Sequence, residues 1–131
     1  MWPSPFSKKG SSVPASRQIT EHDELVDAVA KSYQVAGHEV HPRWQQNGTG
    51  LVDVYVPSLR RIEEVETEET FGAIDVERLR ALRQRGLEVW VVVPLPLAGA
   101  AHQLLRGTAD RIQPWWREER GAIRFGQPRI P

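Results

Sequence analysis

The run at residues 87–93, LEVWVVV, constrains the fold of this chain more than any other stretch. It is nearly continuous in β-branched and apolar residues, which is typical of a strand buried on both faces. Pro94 and Pro96 follow the run and end it, because proline donates no hydrogen bond to a neighbouring strand. The run therefore predicts a strand in the middle of a sheet.

Helix and turn signals surround this strand. Thr20 offers a side-chain oxygen to the free N–H groups of a first helix, and Asp23, three residues later, resembles a capping box with a shorter acid. Gly37 ends that helix as a left-handed cap. The predicted elements are helices at 20–36, 74–85 and 97–105, strands at 38–44, 51–56, 61–67 and 87–93, and a two-stranded hairpin within 110–131.

The order of these elements is helix, three strands, helix, strand, helix, which predicts an α/β sandwich with a mixed sheet. A chain of 131 residues is about one domain long. We expect a flexible N-terminal arm at 1–18, which is rich in proline, serine and lysine, and an α/β core at 19–107. The last segment, 108–131, is predicted to be a C-terminal β-hairpin-like extension.

Composition excludes several classes of protein. The 17 basic and 17 acidic residues cancel, so no overall positive charge favours nucleic-acid binding. Cysteine is absent, which excludes disulfides, thiolate zinc sites and a cysteine nucleophile. No run approaches the roughly 18 apolar residues of a membrane helix, and the N-terminus has no apolar segment like a signal peptide. We expect a soluble, cytoplasmic protein without a membrane partner.

An acidic residue interrupts the apolar strand predicted at 51–56. Alternation along this strand predicts that Asp53 points to the opposite side from Val52, Val54 and Val56. Carboxylates are seldom buried unless they are paired, bound to a metal or placed at an opening. Asp53 is therefore a candidate functional residue.

The next strand, at 61–67, adds further carboxylates. Its alternation places Glu64 and Glu66 on one face and Glu63 on the other. If the two strands pair as a hairpin, Asp53, Glu64 and Glu66 converge, and a divalent cation relieves their repulsion. Oxygen ligands suit magnesium or manganese. The alternative is a solvated acidic edge that discourages aggregation, formed by Glu63, Glu64, Glu66, Glu68 and Glu69.

Two groups of side chains are candidates for contact with nucleic acid. Arg78, Arg80 and Arg83 lie on one short predicted helix, either as a surface for phosphates or as an ordinary solvated face. Trp115 and Trp116 are adjacent, so in a strand one faces inward and the other outward. An outward Trp116 is a dimer contact, a stacking platform for a base, or packing for the chain's own tails.

The strings GHEVHP, LVDVYV and RIEEVET, in this order of elements, resemble the core of the PD-(D/E)XK nuclease superfamily, the restriction-endonuclease-like proteins. The resemblance covers about residues 20–105. It implies a restriction-endonuclease-like α/β/α sandwich with the core order helix-strand-strand-strand-helix-strand. The superfamily includes many restriction enzymes, Holliday-junction resolvases and repair nucleases, so the resemblance implies DNA as the partner.

Residue roles follow from this resemblance by position. Asp53 is similar to the family aspartate of the second core strand and Glu64 to the acidic residue of the third, and both would hold Mg²⁺ or Mn²⁺. Glu66 stands where the family usually has a lysine that positions or activates the attacking water. In this variant Glu66 is either a further metal ligand or a base for the water, or the site is inactive.

The helices supply further candidates through the same resemblance. Glu24, or less favourably Glu21, is similar to the glutamate that many members contribute from the first helix, and Gln84 is a candidate polar contact in the second. The leading interpretation is a metal-dependent nuclease-like domain, an endonuclease or exonuclease, acting on DNA phosphodiesters. The alternative is a catalytically inactive member that serves as a nucleic-acid-binding or protein-assembly module. Either is compatible with a homodimer or with one subunit of a larger complex.

Overall fold

A computed structural model describes residues 20–131. The arm predicted at 1–18 lies outside the described residues. Within that range the chain forms helices on both sides of one sheet. The elements are α1 (Glu21–Val35), β1 (His41–Gln46), β2 (Gly50–Val56), β3 (Arg61–Val65), α2 (Val76–Gln84), β4 (Glu88–Pro94), α3 (Ala98–Leu104), β5 (Arg111–Arg117) and β6 (Ile123–Phe125).

The sheet is mixed, and its six strands lie side by side in the order in which they occur along the chain. β1, β2 and β3 are antiparallel neighbours, β4 and β5 continue the sheet in parallel from β3, and β6 returns antiparallel to β5. The predicted α/β class with a mixed sheet is confirmed. The hairpin predicted near the C-terminus is present as β5 and β6, and it continues the central sheet because β5 pairs with β4.

Apolar side chains form a core on each face of the sheet. The α1 face is built from Leu25, Val26, Val29, Val54, Val56, Val65, Val92 and Trp115. The α2 and α3 face is built from Val52, Ile62, Leu79, Leu82, Leu87, Val89, Val91, Val93, Ala101, Leu105, Ala109 and Ile112. Because β4 contributes valines to both cores, the prediction of a strand buried on both faces is confirmed. None of the described helices is long and apolar enough to cross a membrane.

Side-chain caps fix the beginnings of the two longer helices. The Thr20 hydroxyl oxygen accepts a hydrogen bond from the backbone N–H of Asp23, as the capping pattern predicts. The Asp75 carboxylate caps α2 in the same way and accepts from the N–H of Arg78. Gly86 then follows α2 with a φ of +87°, in the left-handed region that glycine adopts most easily. These caps fix the positions of the side chains that α1 and α2 direct toward the sheet.

The predicted alternation of residues 51–56 is wrong at one point. Val54 and Val56 share one face, as the alternation predicts, and pack under α1, but Val52 packs on the opposite face beside α2. The change of face occurs at Asp53, where Arg43 on the neighbouring strand has a left-handed backbone with a φ of 54°. The register of the two strands is the same on both sides of Arg43, so no residue is inserted there. The first strand also begins at His41, three residues later than predicted.

Candidate active site

The candidate site lies where β2 and β3 part. Their backbone pairing runs from Val56 opposite Arg61 to Val54 opposite Glu63 and then ends. Beyond it the Asp53 N–H donates to Glu64 Oε2 at 2.9 Å, and the Val65 N–H donates to Asp53 Oδ2 at 2.8 Å. Each carboxylate thus accepts from the backbone of the opposite strand. The hairpin predicted from the sequence does bring Asp53 and Glu64 together.

The first turn of α1 contributes a histidine to this site. His22 Nε2 lies 3.3 Å from Asp53 Oδ2. Glu24, the acid predicted from this helix, is instead bonded through both carboxylate oxygens to Arg117, at 3.0 and 3.2 Å. Glu21 also pairs with Arg117, at 3.2 Å. Sequence reasoning missed His22, because only the packing of α1 against β2 shows which residue of the first turn reaches Asp53.

Arg78 supplies a partly buried positive charge on the other side. Its Nη1 lies 2.5 Å from Glu64 Oε1, and its Nε donates to the carbonyl of Thr49 at 2.6 Å. Its Nη2 donates to the carbonyl of Leu51. The guanidinium therefore joins α2 to the β1–β2 turn and to β3. This placement differs from the solvent-facing role predicted for Arg78, because α2 directs this residue to the sheet rather than outward.

Glu66 lies beside Glu64 in a small cavity of about 90 Å³, which is also lined by Asp75 and Arg78. Burial raises the pKa of Glu66 to about 7, together with the nearby charges of Glu64 and Asp53 and against a hydrogen bond from Thr70. Burial and the charge of Asp53 also raise the pKa of Glu64, whereas Arg78 lowers it. The cavity thus holds carboxyl groups that repel one another when ionised.

The alternative of a solvated acidic edge is wrong for Glu63 and Glu64, because both side chains are buried. Glu63 and Glu64 are 2% and 9% exposed, respectively. Glu63 faces α1, where it accepts a hydrogen bond from the Tyr33 hydroxyl, so it points away from Asp53 and Glu64 as predicted. Only Glu68 and Glu69, beyond the end of β3, are fully exposed among the five acids of this stretch.

The oxygen atoms of this site are of the kind that bind a divalent cation. Asp53, Glu64 and Glu66 supply carboxylate oxygens, which are the ligands that Mg²⁺ and Mn²⁺ prefer. As the side chains stand, no group of three His, Asp or Glu residues within 20–131 is arranged to hold a metal ion. Magnesium is commonly bound through one or two carboxylates together with waters and substrate phosphates. The donor chemistry therefore fits, while Arg78 balances the charge of Glu64 in this arrangement.

The remaining residues predicted to bind nucleic acid lie on the surface. Arg80 pairs with Glu77 at 2.5 Å, and Arg83 bonds to Asp110 and to the carbonyl of Gly107. Trp116 is 37% exposed, while its neighbour Trp115 is buried. The Trp115 indole N–H donates to the backbone carbonyl of Glu66 at 2.9 Å, so this tryptophan holds the backbone of a site residue in place. The prediction of one inward and one outward tryptophan is confirmed.

The fold defines the chain as an α/β protein with a six-stranded mixed sheet and an acidic site at the divergence of β2 and β3. No family model, no curated protein and no solved structure matches the chain.

Proposed function

We propose that this protein is a nuclease-like domain of the PD-(D/E)XK type that hydrolyses DNA phosphodiesters with Mg²⁺ or Mn²⁺. The observation that carries the proposal is the reciprocal bonding of Asp53 and Glu64 across the parting strands, with Glu66 beside them. The order and directions of α1, β1 to β4 and α2 are compatible with the restriction-endonuclease-like core.

Each residue of the site has a chemical role under this proposal. Asp53 and Glu64 would hold the cation, with Glu66 as a further oxygen donor or as the base. When bound, the cation lowers the pKa of a water and neutralises charge on the phosphate. The Glu66 carboxylate, whose pKa burial raises to about 7, is suited to accept a proton from the attacking water near neutral pH. Trp115 holds the Glu66 backbone in place through its indole N–H.

Metal titration tests this proposal directly. We expect Mn²⁺ to bind saturably in calorimetry, with at least a tenfold loss of affinity in Asp53→Asn and in Glu64→Gln. Glu69→Gln is the matched control, because Glu69 is an exposed acid outside the site. Manganese-dependent cleavage of single-stranded, duplex and branched DNA should follow the same pattern. Absence of saturable binding at millimolar Mn²⁺, or cleavage that survives Asp53→Ala, would contradict the proposal.

The Arg78–Glu64 ion pair favours a second candidate, a catalytically inactive relative that binds nucleic acid or assembles with protein. In that case the guanidinium, rather than a metal, balances the acidic site permanently. DNA would then bind without cleavage even in the presence of Mn²⁺, with Trp116, Arg80 and Arg83 at the surface. Trp116→Ala should weaken binding measured by fluorescence anisotropy. Trp44→Ala is the control, since Trp44 is exposed to nearly the same extent on another strand.

A further inference from the structure

A second cavity lies on the face of the sheet that α1 covers, away from the acidic site. Its volume is about 430 Å³, within the range of cavities that hold small molecules. Helix α1 packs over β1, β2 and β3. Beyond its last turns, the surface formed by β4 and β5 is open between Tyr33 and Phe125. The cavity therefore exists because α1, the helix on this face, covers mainly the first three strands of the sheet.

Two neighbouring polar groups line the cavity. Glu63 on β3 and Trp90 on β4 are direct partners in the parallel pairing, so their side chains leave the same face of adjacent strands. Adjacent strands are about 4.8 Å apart. A carboxylate, which accepts hydrogen bonds, and an indole, which donates one, thus leave the same face of the sheet on adjacent strands.

Each of the two groups keeps one buried atom without a hydrogen-bond partner within residues 20–131. The Tyr33 hydroxyl donates to Glu63 Oε2, but Glu63 Oε1 is buried and has no hydrogen-bond partner within residues 20–131. The Trp90 Nε1–H is also buried and lacks a partner in the same part of the chain. Leaving a buried polar group unpaired costs about 1 to 3 kcal/mol, and an apolar residue at either position would avoid that cost.

The surrounding residues fix these two groups and define what they can accept. The Arg61 guanidinium lies over the Trp90 ring, 3.9 Å from its centroid, and bonds to Tyr33 and Glu88. Arg61 therefore holds the indole in position while its own charge is balanced by Glu88. The rest of the wall includes Val29, Leu59 and Phe125, which offer apolar contact. Such a site suits a small, largely apolar and uncharged molecule.

We propose that this cavity binds a small neutral lactam, a molecule in which an N–H group adjoins a carbonyl. The N–H would donate to Glu63 Oε1, and the carbonyl would accept from Trp90 Nε1–H. The apolar part would lie against Val29, Leu59 and Phe125. This edge occurs in simple cyclic amides and also in the keto nucleobases. The inference is independent of the proposed nuclease activity, since none of the three carboxylates of the acidic site lines this cavity.

A pair of ligands that differ by one methyl group tests the inference on the wild-type protein. We expect 2-pyridone at pH 8 to shift the Trp90 indole N–H resonance in ¹H–¹⁵N spectra, with saturation in the millimolar range or below. N-methyl-2-pyridone keeps the ring and the carbonyl but lacks the N–H, so it should bind at least tenfold more weakly. The affinities of thymine and 2-pyridone separate the two sources, and 1,3-dimethylthymine is the matched control for thymine because it keeps the carbonyls but lacks both N–H groups.

Variants then assign the contacts. Trp90→Phe should abolish the shifted resonance and weaken binding at least tenfold. Glu63→Gln should weaken binding to the same degree, because the amide N–H₂ that this substitution introduces would face the N–H donor of the ligand. Trp116→Phe is the control, since that indole lies outside the cavity. Equal affinity for 2-pyridone and its N-methyl analogue, or no Trp90 shift with any lactam, would show that the cavity holds solvent only.

Discussion

Asp53 and Glu64 join β2 to β3 after the backbone pairing of those strands has ended, each accepting a hydrogen bond from the opposite strand. The two side chains therefore replace the missing part of the ladder. A structural role and a metal-binding role make different demands on them. The first needs a hydrogen-bond acceptor at each position, whereas the second needs negative charge.

Comparison of Asp53→Asn with Asp53→Ala distinguishes the structural role of Asp53 from its metal-binding role. Asparagine keeps an oxygen that accepts from the Val65 N–H, so we expect its unfolding free energy to stay within about 1 kcal/mol of the wild type. Alanine leaves that N–H unpaired and should cost about 1 to 3 kcal/mol. Both variants should lose Mn²⁺ binding. Urea unfolding by circular dichroism provides the first measurement, and equal losses in the two variants would argue against the structural role.

Removal of Arg78 should destabilise the protein strongly. Arg78→Met leaves Glu64 without its ion-pair partner and the carbonyls of Thr49 and Leu51 without donors. The side chains of Arg78 and Glu64 are 22% and 12% exposed, so the loss should approach but not exceed the about 3 to 5 kcal/mol that breaking a fully buried pair from one side costs. Arg78→Lys keeps the charge but cannot reproduce the three-way contact, so we expect an intermediate loss. Chemical denaturation measures the order of the three proteins.

The effect of Mn²⁺ on the stability of Arg78→Met tests whether the site binds a cation. If Asp53 and Glu64 hold a cation, Mn²⁺ supplies the positive charge that Arg78→Met has lost, and it should raise the unfolding midpoint of the variant more than that of the wild type. K⁺ at matched ionic strength is the control for a nonspecific salt effect. An identical response of the two proteins to Mn²⁺ would favour the inactive relative.

Local signals in the sequence were sufficient for much of this fold. The Thr20 cap, the double-faced strand at β4 and the turn between β2 and β3 depend on neighbours along the chain, and each is present. The features that the sequence did not predict depend on contacts between residues that are distant along the chain. The approach of His22 to Asp53 and the inward path of Arg78 depend on how the helices lie on the sheet. The change of face at Val52 coincides with the irregular residue Arg43 in the neighbouring strand, which no local signal predicts.

The charge at position 66 is the point where this chain departs from the family pattern. In Glu66→Lys an ammonium would lie near Asp53 and Glu64, where the present carboxyl is repelled. We expect the variant to be at least as stable as the wild type at pH 8. Gain of manganese-dependent DNA cleavage would mean that the remaining site is intact. Glu66→Gln is the control that removes the negative charge without adding a positive one, and it should not gain cleavage.

Burial of Glu63 predicts a pH dependence of stability. Burial raises the pKa of Glu63 from an ordinary value of 4.5 to about 7, against the lowering effects of the Tyr33 hydrogen bond and of Arg61. A raised pKa means that the folded state binds the proton more tightly than the unfolded state. The resulting stabilisation is complete below pH 4.5 and is lost as the pH rises through 7. This group alone contributes about 3 kcal/mol across that window.

Glu63→Gln isolates this contribution, because glutamine retains the size of the side chain and an oxygen that can accept from Tyr33. The variant has no proton to lose, so its unfolding free energy relative to the wild type should increase by up to about 3 kcal/mol between about pH 5 and pH 8. Urea unfolding at several pH values in EDTA measures the difference, and Glu69→Gln should show no such trend. A difference between Glu63→Gln and the wild type that stays constant with pH would mean that Glu63 remains ionised in the folded protein across this range.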